Sequence, residues 1–288
     1  MDERAITIEV GPFLIRLVGP AHFLDALEPW YRSFLCRKKA RVHGVGYLKV
    51  AEGPFVSENE PLDFRWQPAQ TEGGDRLIFP YVRGRVLDTT PSEAVLDVDP
   101  RALRGPTPQV ILWLNQWFLR MAWNWGGGAV HAAGLVPRRH AVLAVGASGA
   151  GKSTLARMAH DAGWTVLDDE IVLVVPDPKR GGCALAGRLL PRTVDVGRPR
   201  GMYPVRLMAF IGHGAQLSVS EPQAREWLPE LMAQWFVVEG DPAAWARILD
   251  NIVRCFDNTP IVKVHYPLKD VILEYLLRKV EGCIGTDR

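Results

Sequence analysis

The apolar run AVLAV at residues 141–145 passes directly into GASGAGKS at 146–153, and that passes into TLARMAHDAG, whose apolar positions recur at helical spacing. The middle segment has the form G-x-x-x-x-G-K-[ST]. A strand that ends in a tight glycine loop and opens a helix turns consecutive backbone N–H groups toward one point, where the helix dipole also favours an anion. Gly146, Gly149 and Gly151 permit the curl. Lys152 supplies a point charge for outer phosphates, and the Ser153 hydroxyl suits a magnesium ion. The order strand, loop, helix, strand predicts an α/β core with the loop at a strand's C-terminal end. Lys152 is read here as an exposed loop lysine that contributes little to a core.

What precedes this core is of another kind. Residues 1–105 read as a β-rich part and 106–288 as the domain that holds the glycine loop. ITIEV and FLIRLV are short apolar runs around Gly11-Pro12, a hairpin arrangement. AHFLDALEPWYRSFL has helical spacing with Pro29 near a boundary, and GYLKVAE, LDFRWQ, RLIFPYVRGRVLD and EAVLDVD read as strands. VILWLNQWFLRMAWNW (110–125) is apolar but shorter than a membrane span and carries Arg120, so it reads as a buried helix. GGGAVHAAGLV and WTVLDDEIVLVV read as strands, Gly163 as the close of the loop helix, and EPQAREWLPELMAQWF, PAAWARILDNIVRCF and LKDVILEYLLRKV as helices around a strand IVKVHYP.

Charge and cysteines narrow the function. A net charge of only +2 gives no ground for nucleic-acid binding. Cys36, Cys183, Cys255 and Cys283 form no C-x-x-C pair, so zinc and thiol-redox motifs find no support and buried thiols in a reducing cytoplasm are expected. The acidic start MDERAITIEV lacks the apolar core of a signal peptide.

The acids that phosphoryl chemistry needs lie in Asp168-Asp169-Glu170, at the end of the apolar WTVL run. Strands on either side of the loop helix are expected to lie near each other, with their C-terminal ends facing one crevice. Three adjacent carboxylates there are costly unless a metal or a reacting proton uses them. His131, flanked by small apolar residues in GAVHAAGL, reads by itself as a core histidine.

Together, HAAGLV, VGASGAGKST, LARMAHDAG and WTVLDDE resemble the catalytic domain of HPr kinase/phosphorylase and its bacterial relatives, over roughly residues 129–175. The remaining order is similar to stand-alone paralogues that accompany peptide-modifying gene clusters. The resemblance implies a P-loop kinase core behind a β-rich N-terminal part. It implies that Gly146, Ala147, Ser148, Gly149, Ala150, Gly151, Lys152, Ser153 and Thr154 hold a nucleotide. It also implies that Asp169 is the base toward an acceptor hydroxyl, that Glu170 with Asp169 and Ser153 binds magnesium, and that His131 is an active-site histidine. A glutamate as second acid departs from the family's pair, and Asp168 stands one step early, so a register with Asp168 as base stays open.

Downstream, GRLLPRTVDVGRPRGMYPVR lacks the glutamate-arginine-glycine-leucine-glycine type of signature carried by the bifunctional enzymes. Neither HPr as acceptor nor phosphorylase activity therefore carries over. Arg198 and Arg200 in this zone are candidates for gripping phosphate or an acidic peptide. No N-K-x-D run is present, which favours ATP over GTP. The expectation is a cytoplasmic, ATP- and Mg2+-dependent serine kinase acting on a peptide or protein, sharpest as a ribosomally made precursor of lasso type, without nucleic-acid or membrane partners. A kinase for a small hydroxylated metabolite such as free serine, or a nucleotide-binding regulator, are the alternatives. The family often assembles, and Trp113, Trp117 and Trp123 are candidates for an interface between copies.

Overall fold

The computed structural model describes residues 2–36, 41–59, 61–64, 66–68, 74–87, 89–104, 108–186, 199, 201–236, 243–267 and 271–284. Its elements are β1 Glu3–Val10, β2 Phe13–Pro20, α1 Ala21–Tyr31, β3 Gly44–Val50, β4 Gln67–Pro68, β5 Asp75–Phe79, β6 Val82–Leu87, β7 Ser92–Val98, α2 Gln109–Asn124, β8 Gly128–Val136, β9 Ala141–Val145, α3 Lys152–Asp161, β10 Thr165–Asp168, β11 Ile171–Asp177, β12 Gly181–Ala186, β13 Tyr203–His213, β14 Ser218–Ser220, α4 Ala224–Ala233, α5 Ala243–Phe256, β15 Ile261–Tyr266 and α6 Val271–Ile284. The chain is thus mixed α/β. No helix among the described residues is long and apolar enough to cross a membrane.

Two compact units form, one from residues 1–121 with 237–244 and the other from 122–236 with 245–288. In the first, the sheet runs β1-β2-β3-β7-β6-β5-β4. β1 and β2 are the expected hairpin, turning at Gly11 with φ +56°. β3 lies parallel to both β2 and β7. Among the described residues of LDFRWQ, Gln67 alone enters a named strand, β4. Alternate residues of β1, β6 and β7 are buried, the period-2 pattern of a half-buried sheet.

The tryptophans of α2 explain why most of that helix belongs to the first unit and not to the domain that follows it in sequence. Trp113 and Trp117 are fully buried. Their indoles press onto strand glycines: a Cβ at Gly84 would lie 2.5 Å from Trp113 and one at Gly44 would lie 2.8 Å from Trp117. Each indole N–H finds an acceptor, Trp113 in the buried Leu77 carbonyl at 3.0 Å and Trp117 in the half-buried Ser92 hydroxyl at 3.2 Å. Arg120, also buried, pairs with Asp75 at 2.6 Å and lies over the Trp66 ring. Trp123 is 4% exposed and lies under the Arg247 guanidinium in the second unit. The three tryptophans expected at an interface between copies are therefore buried within the chain, and the indoles of Trp113 and Trp117 fill the space that strand glycines leave open.

The second unit is built on a sheet ordered β10-β8-β11-β12-β13-β15-β14, with β9 between β8 and β13. β9 is antiparallel to β8 and parallel to β13, which is parallel in turn to β15. Its five residues are all buried, as a central strand requires. α3 and α6 cover one face, where Leu155, Ala156, Ala159, Ile272, Leu276 and Val280 meet Val142, Ala144, Leu207, Ala209 and Val264. Burying each of the leucines, isoleucines and valines contributes roughly 1.5–3 kcal/mol and each alanine less, so this packing holds α3 against the strand that delivers its N-terminus.

Candidate functional site

The glycine loop spans residues 146–151, from the end of β9 to the start of α3, as its sequence predicts. Gly149 has φ +81° and Gly151, the cap of α3, has φ +97°; both lie in the left-handed region that glycine enters without strain. Gly146 is needed for a different reason. A Cβ there would lie 2.9 Å from the Ile211 carbonyl oxygen and 2.9 Å from the Ala150 Cβ. The Ala150 N–H donates to the Ala147 carbonyl at 3.1 Å, closing a turn inside the loop.

Lys152 is not the exposed loop residue expected from the sequence. It is 6% exposed, and its ammonium donates to the Gly146 carbonyl at 2.6 Å and the Ala147 carbonyl at 3.0 Å. The first residue of a helix faces its own N-terminal loop, and a long stem folded back there is covered by that loop. Burial lowers the Lys152 pKa below the ordinary lysine value, and the negative charge of Glu170 opposes that shift. Ser153 follows, half-buried, and Thr154 is exposed.

That electrostatic link to Glu170 comes from strand order. β9 and β10 lie near each other, with one strand, β8, between them. Both run antiparallel to β8, so they run parallel to each other, and their C-terminal ends reach the same end of the sheet. Val145 pairs with Ala132 on one edge of β8, while the Ala132 N–H donates to the Glu170 carbonyl on the other edge at 3.1 Å. Two strand spacings, about 10 Å, therefore separate the start of the loop from Glu170.

The acidic trio ends β10 at Asp168 and fills the break before β11 with Asp169 and Glu170, at a register slip between Val166 and Asp168. A slip of this kind re-aims side chains. The three acids then differ. Asp168 is fully buried, and one carboxylate oxygen accepts from the Glu170 N–H at 2.9 Å and the Ile171 N–H at 3.0 Å. It thus shapes the turn. Asp169 is also buried, at 2% exposure, and Glu170 is exposed. His131 sits half-buried on β8 as the register partner of Ile171, the residue after the trio, and its backbone N–H donates to the Gln234 carbonyl at 2.7 Å. Among the described residues, no group of three or more His, Cys, Asp or Glu side chains is placed to hold a metal ion. Arg198 and Arg200 lie outside the described residues.

One contributor escapes the sequence reading altogether. His213, the last residue of β13, has its Nε2 2.8 Å from the Gly149 carbonyl oxygen. The signal for it was present: PVRLMAFIG (204–212) is an apolar run bounded by proline and glycine, the pattern of a buried strand. That run is β13, which lies parallel beside β9.

Fold and site together define an α/β chain with a glycine loop between a central strand and a helix, and a carboxylate turn one strand away at the same sheet end. No protein-family model matches the chain, and no curated protein is significantly similar to it.

Proposed function

We propose that this chain is an ATP- and Mg2+-dependent kinase with a P-loop core, which passes the γ-phosphoryl group to a serine hydroxyl of a peptide or protein. The observation that carries the reading is the meeting of two features at one sheet end: Lys152 turned into a glycine loop with left-handed Gly149 and Gly151, and the Asp168, Asp169 and Glu170 turn whose last charge acts on that lysine. The resemblance of residues 129–175 to the HPr kinase catalytic domain supports it further.

In this reading the amides at the start of α3 and the Lys152 ammonium bind the phosphates. Ser153 and Glu170 would hold Mg2+, which supplies charge neutralisation on the phosphate oxygens. The donor set fits, because Mg2+ is held in such sites by one or two protein groups together with phosphate and water. Asp169 takes the proton of the acceptor hydroxyl as the new O–P bond forms and the bond to ADP breaks. Its burial keeps competing water away from that transfer. Asp168 holds the turn and through it the direction of its neighbours. His131, beside the turn on β8, completes the wall of the crevice. A cytoplasmic location accords with this reading, since ATP and reduced thiols are found together there.

The test begins with titration of ATPγS and Mg2+ into the purified protein. It continues with labelled ATP and serine-bearing peptides, read by mass spectrometry of the products. Binding followed by a phosphopeptide is the expected result. Phosphorylation of free serine alone would replace the acceptor, and no nucleotide binding at millimolar concentration would overturn the reading.

A further inference from the structure

The end of β13 touches the glycine loop at two places. The Ile211 carbonyl packs against Gly146 so closely that a Cβ there would lie 2.9 Å away, and the His213 ring meets the Gly149 carbonyl at 2.8 Å. A carbonyl oxygen can only accept, so the His213 Nε2 carries the proton of this bond. The peptide between Gly149 and Ala150 is consequently tied at both ends. Its C=O accepts from His213, and its N–H donates to the Ala147 carbonyl at 3.1 Å. Both groups belong to one planar unit, so the two bonds together fix its rotation.

The position of His213 is fixed in turn. It stands between Gly212 and Gly214, both pressed onto His265 of β15; a Cβ at either would lie 3.0 Å from that side chain. The Gly214 N–H donates to the Tyr266 carbonyl at 3.1 Å. The strand end that carries the histidine is thus held by its parallel neighbour.

We propose that His213 is a positioning residue of the phosphate loop: its ring N–H holds the crest peptide at Gly149 in the orientation that leaves the following amides free for an anion. This rests on the nucleotide-binding reading above. Without the ring, the crest peptide keeps only its Ala147 bond, and the left-handed Gly149 lets it rotate. The loop amides then have to be ordered by the ligand at a cost in affinity.

The probe is ATPγS with Mg2+, titrated into the parent protein and into His213→Ala and His213→Gln. The glutamine amide carries an N–H donor of comparable reach, so it is the rescuing variant. His213→Ala is expected to weaken ATPγS binding about fivefold, the worth of one hydrogen bond, with an unchanged melting temperature because the side chain is exposed. Hydrogen exchange at Gly149, Ala150 and Gly151 in the ligand-free protein is expected to rise in His213→Ala and to return in His213→Gln. A merely structural surface residue would move neither readout. If the parent fails to bind ATPγS, the nucleotide reading falls. If the parent binds and His213→Ala binds equally well with unchanged loop exchange, the positioning role alone is overturned.

Discussion

Replacing Lys152 by methionine separates the loop's chemistry from its fold. Methionine keeps the length and apolar stem and removes the ammonium. The change loses two hydrogen bonds from a charged donor, to Gly146 at 2.6 Å and Ala147 at 3.0 Å. Before desolvation is counted, the attraction in these bonds is on the order of several kcal/mol. Against this, the buried ammonium no longer has to be stripped of water, a cost of several kcal/mol per ion after relaxation. The lowered pKa of Lys152, caused first by burial, says that this penalty is felt. The opposing contributions nearly cancel, so the unfolding free energy is expected to change by no more than about 2 kcal/mol, within the usual range for single substitutions. Binding of ATPγS has no such compensation. Loss of a charge-assisted contact costs about 2 kcal/mol or more, roughly thirtyfold in Kd. Calorimetric unfolding and ATPγS titration on the same preparation give both numbers.

A pH arm sharpens the test. A lysine pKa depressed in the folded state means that the unfolded chain binds more protons between the folded and ordinary values, so this group's contribution to stability rises with pH there. A bound polyanion favours the charged form, so ATPγS affinity of the parent falls as pH climbs through that window, while the methionine variant shows no such fall from this site. Unchanged affinity in Lys152→Met would refute the phosphate-binding role. A stability loss well beyond about 4 kcal/mol would instead make the ammonium a structural tie.

The acids are expected to separate by assay: Asp169→Asn retains ATPγS binding and loses phosphoryl transfer, whereas Asp168→Ala, leaving two backbone N–H groups without their acceptor, destabilises by about 2 kcal/mol or more in denaturant unfolding; the reverse pattern would move the base to Asp168. Trp113→Ala empties the site over Gly84 and is expected to cost about 3–5 kcal/mol, read as a fall in denaturation midpoint; a cost below 1 kcal/mol would contradict the packing. Burial pushes the thiols of Cys183 and Cys255 up to about 11 and about 12. At pH 8 iodoacetamide is therefore expected to label Cys36 and Cys283, which are partly exposed, and to reach the other two only on unfolding, as peptide mapping would report.

Much of the site was legible in the order of residues because its requirements are local. A left-handed backbone at Gly149 and Gly151, a lysine at the first position of α3 and the close of that helix before Gly163 each depend on a few consecutive residues. The strands β1 and β7 were visible for the same reason, since alternate burial is written along the chain, and α2 was visible as a continuous apolar run that the structure buries on nearly every side. The tertiary structure decided what depends on which elements are neighbours. β8 enters between β9 and β10 through antiparallel ladders on both its edges, a pairing that no local pattern encodes. Covering by its own loop made Lys152 a buried ammonium, and packing onto glycine strands made Trp113 and Trp117 core residues. The largest gain came from β13, whose parallel pairing with β9 brings His213 to Gly149 across 64 positions of sequence. A hydrogen bond acts over about 3 Å of space whatever the separation along the chain, and only the fold sets that distance.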